Sequence, residues 1–299
     1  MTKIAYAVMD GYQALLDVYA EVLNEPQVLE RELALLGVEM TAVRWRDPEV
    51  DWSRFDVVVP KGCWDYVERS AEFFAWLDRL RDLGTRLVNP LELIRWNSDK
   101  RYLLDLRRAG VSVAPLVYVE QGAPADLRAE LSSLGWGELV FKPAISAGAY
   151  RTLRASSLDA EGVAEQVETI LRDSGLLVQP FFLEIPRDGE WSLLFFGGVF
   201  SHALLKVPSR GDFRSQPMFG ATATAKDPPP ALLAQATAVI EALPGEAAYA
   251  RVDGFLRDGA LQIMEVELIE PYLYLEHGGP LAARRFCEAV LARVGGSPR

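Results

Sequence analysis

The densest group of reactive side chains is Met264-Glu265-Val266-Glu267-Leu268-Ile269-Glu270, directly after the apolar run Ala260-Leu261-Gln262-Ile263. In a strand, side chains alternate faces, so Glu265 and Glu267 point the same way, about 7 Å apart. At an effective dielectric of about 20, like charges at that distance repel by roughly 2.4 kcal/mol. A solvated strand end lowers this cost, and a bound cation reverses it. Arg251-Val252-Asp253 alternates in the same way just upstream. If the two segments pair as a hairpin around Asp258-Gly259, then Arg251, Asp253, Glu265 and Glu267 share a face. Converging carboxylates without histidine or cysteine form a hard-oxygen site suited to magnesium, which keeps waters and bridges substrate phosphates.

A basic counterpart lies far upstream in Val140-Phe141-Lys142-Pro143-Ala144-Ile145-Ser146-Ala147-Gly148-Ala149. A lysine on an apolar strand is costly without an anion, and the small residues after it let backbone N–H groups approach one. Ser146 adds a hydroxyl donor, so the combination suits a polyphosphate. It is not the Walker pattern, because the lysine precedes the loop. An edge-strand lysine that snorkels to water has the same appearance. Lysines for phosphates together with carboxylates for magnesium imply a nucleotide.

These residues need elements to hold them. Up to Pro90, apolar runs alternate with amphipathic segments: strands at Ile4 to Val8, Val38 to Val43, Asp56 to Val59 and Arg86 to Val88. Helices lie between them at Gln27 to Leu36, stopped by Gly37, and at Ala71 to Leu83, stopped by Gly84. This is a small βαβ sheet, and such sheets bind ligands outside the carboxyl ends of their strands. The loop Pro60-Lys61-Gly62-Cys63-Trp64-Asp65-Tyr66 is therefore a substrate-contact candidate, with core packing as the alternative for Trp64 and Tyr66. A helix from Lys100 to Arg108 follows, capped by Ser98 or Asp99. Strands are expected at Val111 to Val119, Glu138 to Pro143 and Leu176 to Gln179, and helices at Ala125 to Leu134 and Leu158 to Arg172. Trp191 to Phe196 and Val199 to Val207 then form a hairpin at Gly197-Gly198. A long loop from Pro208 to Pro230 leads to a helix at Ala231 to Leu243, strands at Ala247 to Phe255 and Leu261 to Leu268, and a last helix at Leu281 to Val294.

At 299 residues, half of them hydrophobic, the chain is long enough for several α/β layers with their own cores. A formal charge of −11 argues against nucleic-acid or anionic-membrane partners. The N-terminal residues read as a strand rather than a signal peptide, and a cytoplasmic location is expected. Cys63 and Cys287 lack metal-ligand spacing and are expected as reduced thiols. His202 and His277 are too few for a histidine metal site.

Read in order, several motifs resemble those of the ATP-grasp ligases over nearly the whole chain. They are the Ser98-Asp99-Lys100 helix start, Phe141-Lys142-Pro143 with its small-residue loop, Val178-Gln179-Pro180-Phe181, Arg251-Val252-Asp253 and Met264-Glu265-Val266-Glu267. The resemblance implies an α/β (α+β) ATP-grasp fold with a small N-terminal βαβ domain (1–90). A central ATP-binding subdomain (91–182) and a C-terminal subdomain (183–299) then clasp ATP between them. By the same resemblance Lys100 and Lys142 bind phosphates, and Ser146, Ala147, Gly148 and Ala149 close over them. Gln179 to Phe181 hold adenine, Glu184 or a neighbour reaches ribose, and Asp253, Glu265 and Glu267 bind Mg2+. The family often has asparagine where this chain has Glu267; the extra charge either favours two metals or pairs with Arg251 or Lys206.

The implied reaction is phosphorylation of a substrate carboxylate to an acylphosphate, which an amine then attacks. Arg251 serves the oxyanion, and Arg214, in Gly211-Asp212-Phe213-Arg214-Ser215-Gln216, is a second clamp unless it is simply a surface arginine. His202 and catalytic Lys206 on one strand, with Glu190 and Ser192 on the strand before, face the same cleft. Gly189-Glu190-Trp191-Ser192 and Ser201-His202-Ala203 are similar to the glutathione synthetase-like branch. The Trp64-Asp65-Tyr66 loop and the Glu267-Leu268-Ile269-Glu270-Pro271 ending are similar to the cyclo-ligases of D-cycloserine biosynthesis, whose substrate, O-ureido-D-serine, supplies both carboxylate and nucleophile. This implies a small amino-acid-like substrate met by Lys61, Asp65, Tyr66, His202 and Glu270, with Asp65 or Glu270 taking its ammonium. The chain is also compatible with a homodimer. Two other readings stand beside this one: an intermolecular carboxylate–amine ligase, and a nucleotide-binding module without catalysis. Clustered charge that is costly to keep speaks against the second.

Overall fold

The computed structural model describes residues 2–18, 25–124, 127–158, 162–209, 211–212, 214–215 and 219–294. Its first unit contains β1 (Lys3–Val8), α1 (Tyr12–Val18), α2 (Glu25–Leu35), β2 (Glu39–Arg44), β3 (Val57–Gly62), α3 (Ser70–Asp82) and β4 (Arg86–Leu87). The strands form a parallel sheet in the order β2-β1-β3-β4. Alternation sorts its side chains. Ile4, Tyr6, Val57 and Val59 enter one core, while Ala5, Ala7 and Val58 enter another against Phe73, Leu77 and Leu80 of α3. The strand expected to stop at Val59 continues through Pro60, Lys61 and Gly62, all buried, so Lys61 belongs to the sheet and not to a loop.

Two short helices, α4 (Leu91–Ser98) and α5 (Tyr102–Arg108), lead into the middle unit. Asp99 between them accepts the Arg101 backbone N–H at 2.8 Å and the Tyr118 hydroxyl. The middle unit holds β5 (Val117–Val119), α6 (Arg128–Ser133), β6 (Leu139–Pro143), β7 (Leu153–Ala155), α7 (Val163–Asp173) and β8 (Leu176–Pro180). Its sheet is antiparallel throughout, in the order β5-β8-β6-β7. The strand expected from Val111 is shortened because Pro115 interrupts it; Ser112 and Ala114 bond instead to the backbone of Ile263. Parts of the helices expected at Ala125 to Leu134 and Leu158 to Arg172 lie outside the described residues.

The last unit contains α8 (Glu184–Asp188), β9 (Glu190–Phe196), β10 (Val199–Val207), β11 (Thr222–Ala225), α9 (Pro230–Glu241), β12 (Tyr249–Arg257), β13 (Ala260–Glu267) and α10 (Ala282–Val294). Its antiparallel sheet runs β11-β10-β9-β12-β13. Gly197 and Gly198, both at positive φ, turn the β9–β10 hairpin as expected. The long loop after β10 is not structureless, since β11 pairs with β10 from Leu204 to Val207. Residues 210, 213 and 216–218 of that loop are outside the described set.

The first and last units share one core: Ile4, Tyr6 and Leu29 pack with Leu194, Tyr249 and Phe286. Buried Asn89, just after β4, joins them by bonds, accepting from Ala248 N at 2.6 Å and donating to the carbonyls of Tyr249 and Leu268 at 2.9 Å. The middle sheet has a separate core around Phe141, Val167 and Val178. No helix among the described residues is long and apolar enough to cross a membrane.

Candidate active site

A cleft of about 840 Å3, its solvent-filled mouth included, opens between the middle and last sheets. On β6, Leu139 and Phe141 turn into the middle core, which sends Val140 and Lys142 to the cleft. Burial pulls the pKa of Lys142 down. Its Nζ donates to Gln179 Oε1 at 3.2 Å, and among the described residues it has no carboxylate at ion-pair distance. Lys100, in the turn between α4 and α5, reaches the same space from below. Its Nζ donates to Glu265 Oε1 at 2.7 Å and to the Ser146 carbonyl at 2.5 Å. Gly148 and Ala149, at φ +58° and +62°, curl the small-residue loop over the two lysines. The Ser146 hydroxyl, expected as an anion donor, is spent on the Pro143 carbonyl at 2.9 Å. Phe181, Phe182 and Met264 supply an apolar wall beside Gln179.

The β12–β13 hairpin has the expected register, Arg251 opposite Glu267 and Asp253 opposite Glu265. The four charges share a face with Lys206 and Glu190 from β10 and β9. Asp253 accepts from Ser192 Oγ and from Arg251 Nε at 3.0 Å, with Lys206 Nζ at 3.6 Å. Arg251 also bonds Glu267, and Lys206 bonds Glu190 at 2.8 Å. Burial opposes the charges on Arg251 and Lys206, but the neighbouring carboxylates together outweigh it, Asp253 and Glu267 for Arg251 and Asp253 and Glu190 for Lys206, and their pKa values rise. Burial likewise opposes ionisation of Asp253, yet Arg251 and Lys206 hold its pKa down. Burial pushes Glu267 up against the pull of Arg251.

Sharing a face is not the same as sharing a metal. Among the described residues no three histidine, cysteine, aspartate or glutamate side chains stand close enough to hold an ion. Each expected ligand is already paired with a side-chain cation: Glu265 with Lys100, Glu267 with Arg251, and Asp253 with Arg251 and Lys206. The donor set is all carboxylate oxygen and fits Mg2+ chemically. Glu265 and Glu267 are the accessible members, with side chains 31% and 25% exposed against 3% for Asp253.

Other expected contacts fall elsewhere. Arg214 does line the cleft, paired with Asp212 at 2.7 Å and stacked 3.6 Å over Phe219. Lys206 sits in the charge ladder, not at the cleft wall. Glu184 faces away, held by Arg257 at 2.7 Å, and the carboxylate lining that side of the cleft is Glu190. Tyr66 packs against Phe73 with ring centroids 5.0 Å apart, so core packing prevails there. Asp65 accepts from Trp45 Nε1 at 2.8 Å. His202 is buried, with Nε2 on the Leu273 carbonyl and Nδ1 on Ser201 Oγ; burial lowers its pKa. Lys61 is 1% exposed and paired with Glu25 at 2.9 Å. Glu270 is buried, and burial followed by Glu267 pushes its carboxyl up to about 8. Cys63 and Cys287 are buried free thiols. Sequence reasoning missed Glu25, Phe182 and Met264. Met264 was discernible as the residue beside Glu265, whereas nothing local marks Glu25 as the partner of Lys61.

A lysine on one antiparallel sheet and a second on the preceding helical turn, facing carboxylates of another sheet across a cleft beside a parallel N-terminal sheet, define an ATP-grasp ligase. D-alanine–D-alanine ligase from Bacillus anthracis has this fold, with a TM-score of 0.69 at 15% identity over 98% of this chain and 96% of that one. Residues 4–89 match the family model of the N-terminal domain of D-cycloserine synthetase DcsG. A crystal structure of D-cycloserine synthetase DcsG is similar to the chain with a TM-score of 0.84 and 31% identity, covering 98% of this chain and 99% of that one. The cycloserine biosynthesis protein DcsG of Streptomyces lavendulae is 35% identical over 279 residues, spanning 87% of this chain and 90% of that protein. The chain belongs to the DcsG family of ATP-grasp ligases, and it is an ATP-using, C–N bond-forming enzyme.

Proposed function

We propose that this ligase closes a small ring on a single amino-acid substrate, converting O-ureido-D-serine toward D-cycloserine. Lys142 is the decisive residue for a phosphate-binding cleft: it is a half-buried ammonium facing Lys100 and, among the described residues, bonded only to an amide oxygen. Such a cation is costly until an anion meets it. The names of the relatives, a cycloserine biosynthesis protein and a D-cycloserine synthetase, support the choice of product.

When bound, ATP supplies the γ-phosphoryl group and Mg2+ neutralises charge on its phosphates. Lys100 and Lys142 bind those phosphates under the loop of residues 146–149. Gln179, Phe181, Phe182 and Met264 form the adenine slot. Glu265 and Glu267 would be the oxygen donors for Mg2+, with Asp253 behind them, and Lys100 and Arg251 hold those carboxylates in place until the metal is bound. The guanidinium of Arg251 steadies the oxyanion that forms when a nitrogen of the same molecule attacks the acylphosphate carbonyl; the C–O bond to phosphate then breaks, inorganic phosphate leaves with the nitrogen's proton, and Arg214 clamps from the cleft wall. Glu270 is the carboxyl offered to the substrate ammonium, whose charge would draw off the proton that Glu270 otherwise holds to about pH 8, because Asp65 is already engaged by Trp45.

ADP release with O-ureido-D-serine as the sole organic substrate tests ring closure. Turnover with that one substrate supports it, and turnover only after a separate amine is added indicates an intermolecular ligase. Silence with every carboxylate overturns both. For the metal assignment, Glu265→Gln is expected to abolish Mg2+-dependent ADP release with an unchanged melting temperature, and normal turnover by that variant would sink it.

A further inference from the structure

We propose that the buried pair Lys61–Glu25 is a positioning device for Arg251, acting through the backbone of residues 271–273. Both members lie in the N-terminal unit, and their exposures are 1% and 4%. Lys61 Nζ donates to the Pro271 carbonyl as well as to Glu25. Glu25 Oε2 accepts the Leu273 N–H at 2.8 Å, and its other oxygen accepts the Tyr6 hydroxyl at 3.3 Å. His202 Nε2 holds the Leu273 carbonyl at 2.9 Å. Pro271 and Leu273 are thus fixed on both sides of Tyr272, whose carbonyl accepts from Arg251 Nη1 at 3.0 Å. The remaining bonds of Arg251 go to Asp253 and Glu267, the carboxylates of the charge ladder.

A buried ion pair is a poor way to gain stability, because apolar residues of similar volume often do as well or better. What it does give is direction. A paired ammonium and carboxylate bonded to one loop set the orientation of two consecutive peptide groups, 271–272 and 272–273, and the second of these carries the Tyr272 carbonyl that meets Arg251; apolar packing sets no such direction. Lys61 is too deeply buried to meet substrate, so it acts through the loop. This inference rests on Arg251 serving the reacting carboxyl.

The test uses the full chain with both members replaced, Lys61→Met with Glu25→Leu, which leaves no unpaired buried charge. The expected result is a melting temperature close to wild type, an ATP KM changed less than about threefold and a kcat lowered about 10–100-fold, the loss typical of a group misplaced by about 1 Å. Independently of turnover, the Nε–H signal of Arg251 in 15N-arginine-labelled protein, assigned by its loss in Arg251→Lys, should shift in the double variant. Glu25→Gln, which keeps an acceptor for Leu273, should shift it less, and it decides the matter should the double variant not fold. A folded double variant with kcat within about twofold of wild type, or an unmoved Arg251 signal, overturns the proposal. If the wild type itself releases no ADP with any carboxylate, the reaction assignment fails while the arginine signal still reports on the latch.

Discussion

Glu270 is buried and Lys142 half-buried, and the loss of hydration shifts them in opposite senses on the pH scale. For Lys142 the pKa falls, so its ammonium is lost at lower pH than that of a solvated lysine. Calorimetric titration with a non-hydrolysable ATP analogue should therefore show affinity declining below the ordinary lysine value of 10.5. Lys142→Arg should remove that decline, and Lys142→Met should cost about 1.5–3 kcal/mol of binding at neutral pH. Glu270 titrates in the folded chain at about 8, above its ordinary 4.5. Between those values the folded chain holds a proton that the unfolded chain has released, so the stability due to this group is full at low pH and is lost as pH rises through the folded value. Glu270→Gln should melt close to wild type near about pH 5 and higher than wild type near about pH 9, by about 2–4 °C per kcal/mol recovered. A melting difference independent of pH would contradict this.

At the scale of elements, two hairpins carry the site and their turns have separable roles. Gly198 is at φ +79° with open space around it, so Gly198→Ala should cost about 1–2 kcal/mol in urea unfolding, from backbone strain alone, and leave ADP release unchanged. Gly254 sits where the β12–β13 register shifts, and a Cβ there would collide with the Gln262 carbonyl oxygen. Gly254→Ala should cost about 1–3 kcal/mol and also lower turnover, because Asp253 and Glu265 flank the displaced backbone. Both hairpins were legible in the sequence, since their apolar runs end in Gly-Gly or Asp-Gly and alternation orients Arg251, Asp253, Glu265 and Glu267. The edge strands β7 and β11 were not legible: they are short, and partner pairing rather than local pattern makes them strands. The same limit explains the misplaced side chains. Lys61 finds its carboxylate 36 residues upstream and His202 its carbonyl 71 residues downstream, and although Phe73 is only seven residues from Tyr66, no spacing within the loop shows that its ring packs there. Lys100, Lys142 and Glu265 were legible because each must answer for its own charge beside a motif.

For the molecule as a whole, the cores set how it comes apart. The first and last units share side chains in one core, whereas the middle sheet packs chiefly around its own. Scanning calorimetry should therefore resolve two transitions, not three, with the middle unit melting first, and a nucleotide spanning the cleft should draw them together. Three separate transitions would show that the shared core is weaker than its composition suggests. Asn89-Pro90 looks in the sequence like the natural place to cut, since a sheet ends there and a helix begins. The side chain of Asn89 makes it a weld, bonded to residues that arrive about 160 and 180 positions later. Chimaeras that exchange only the segment before Pro90 between relatives should express poorly unless the recipient's residues 248–249 and 268–273 travel with it, so in this chain the first and last units form a matched pair and not interchangeable parts.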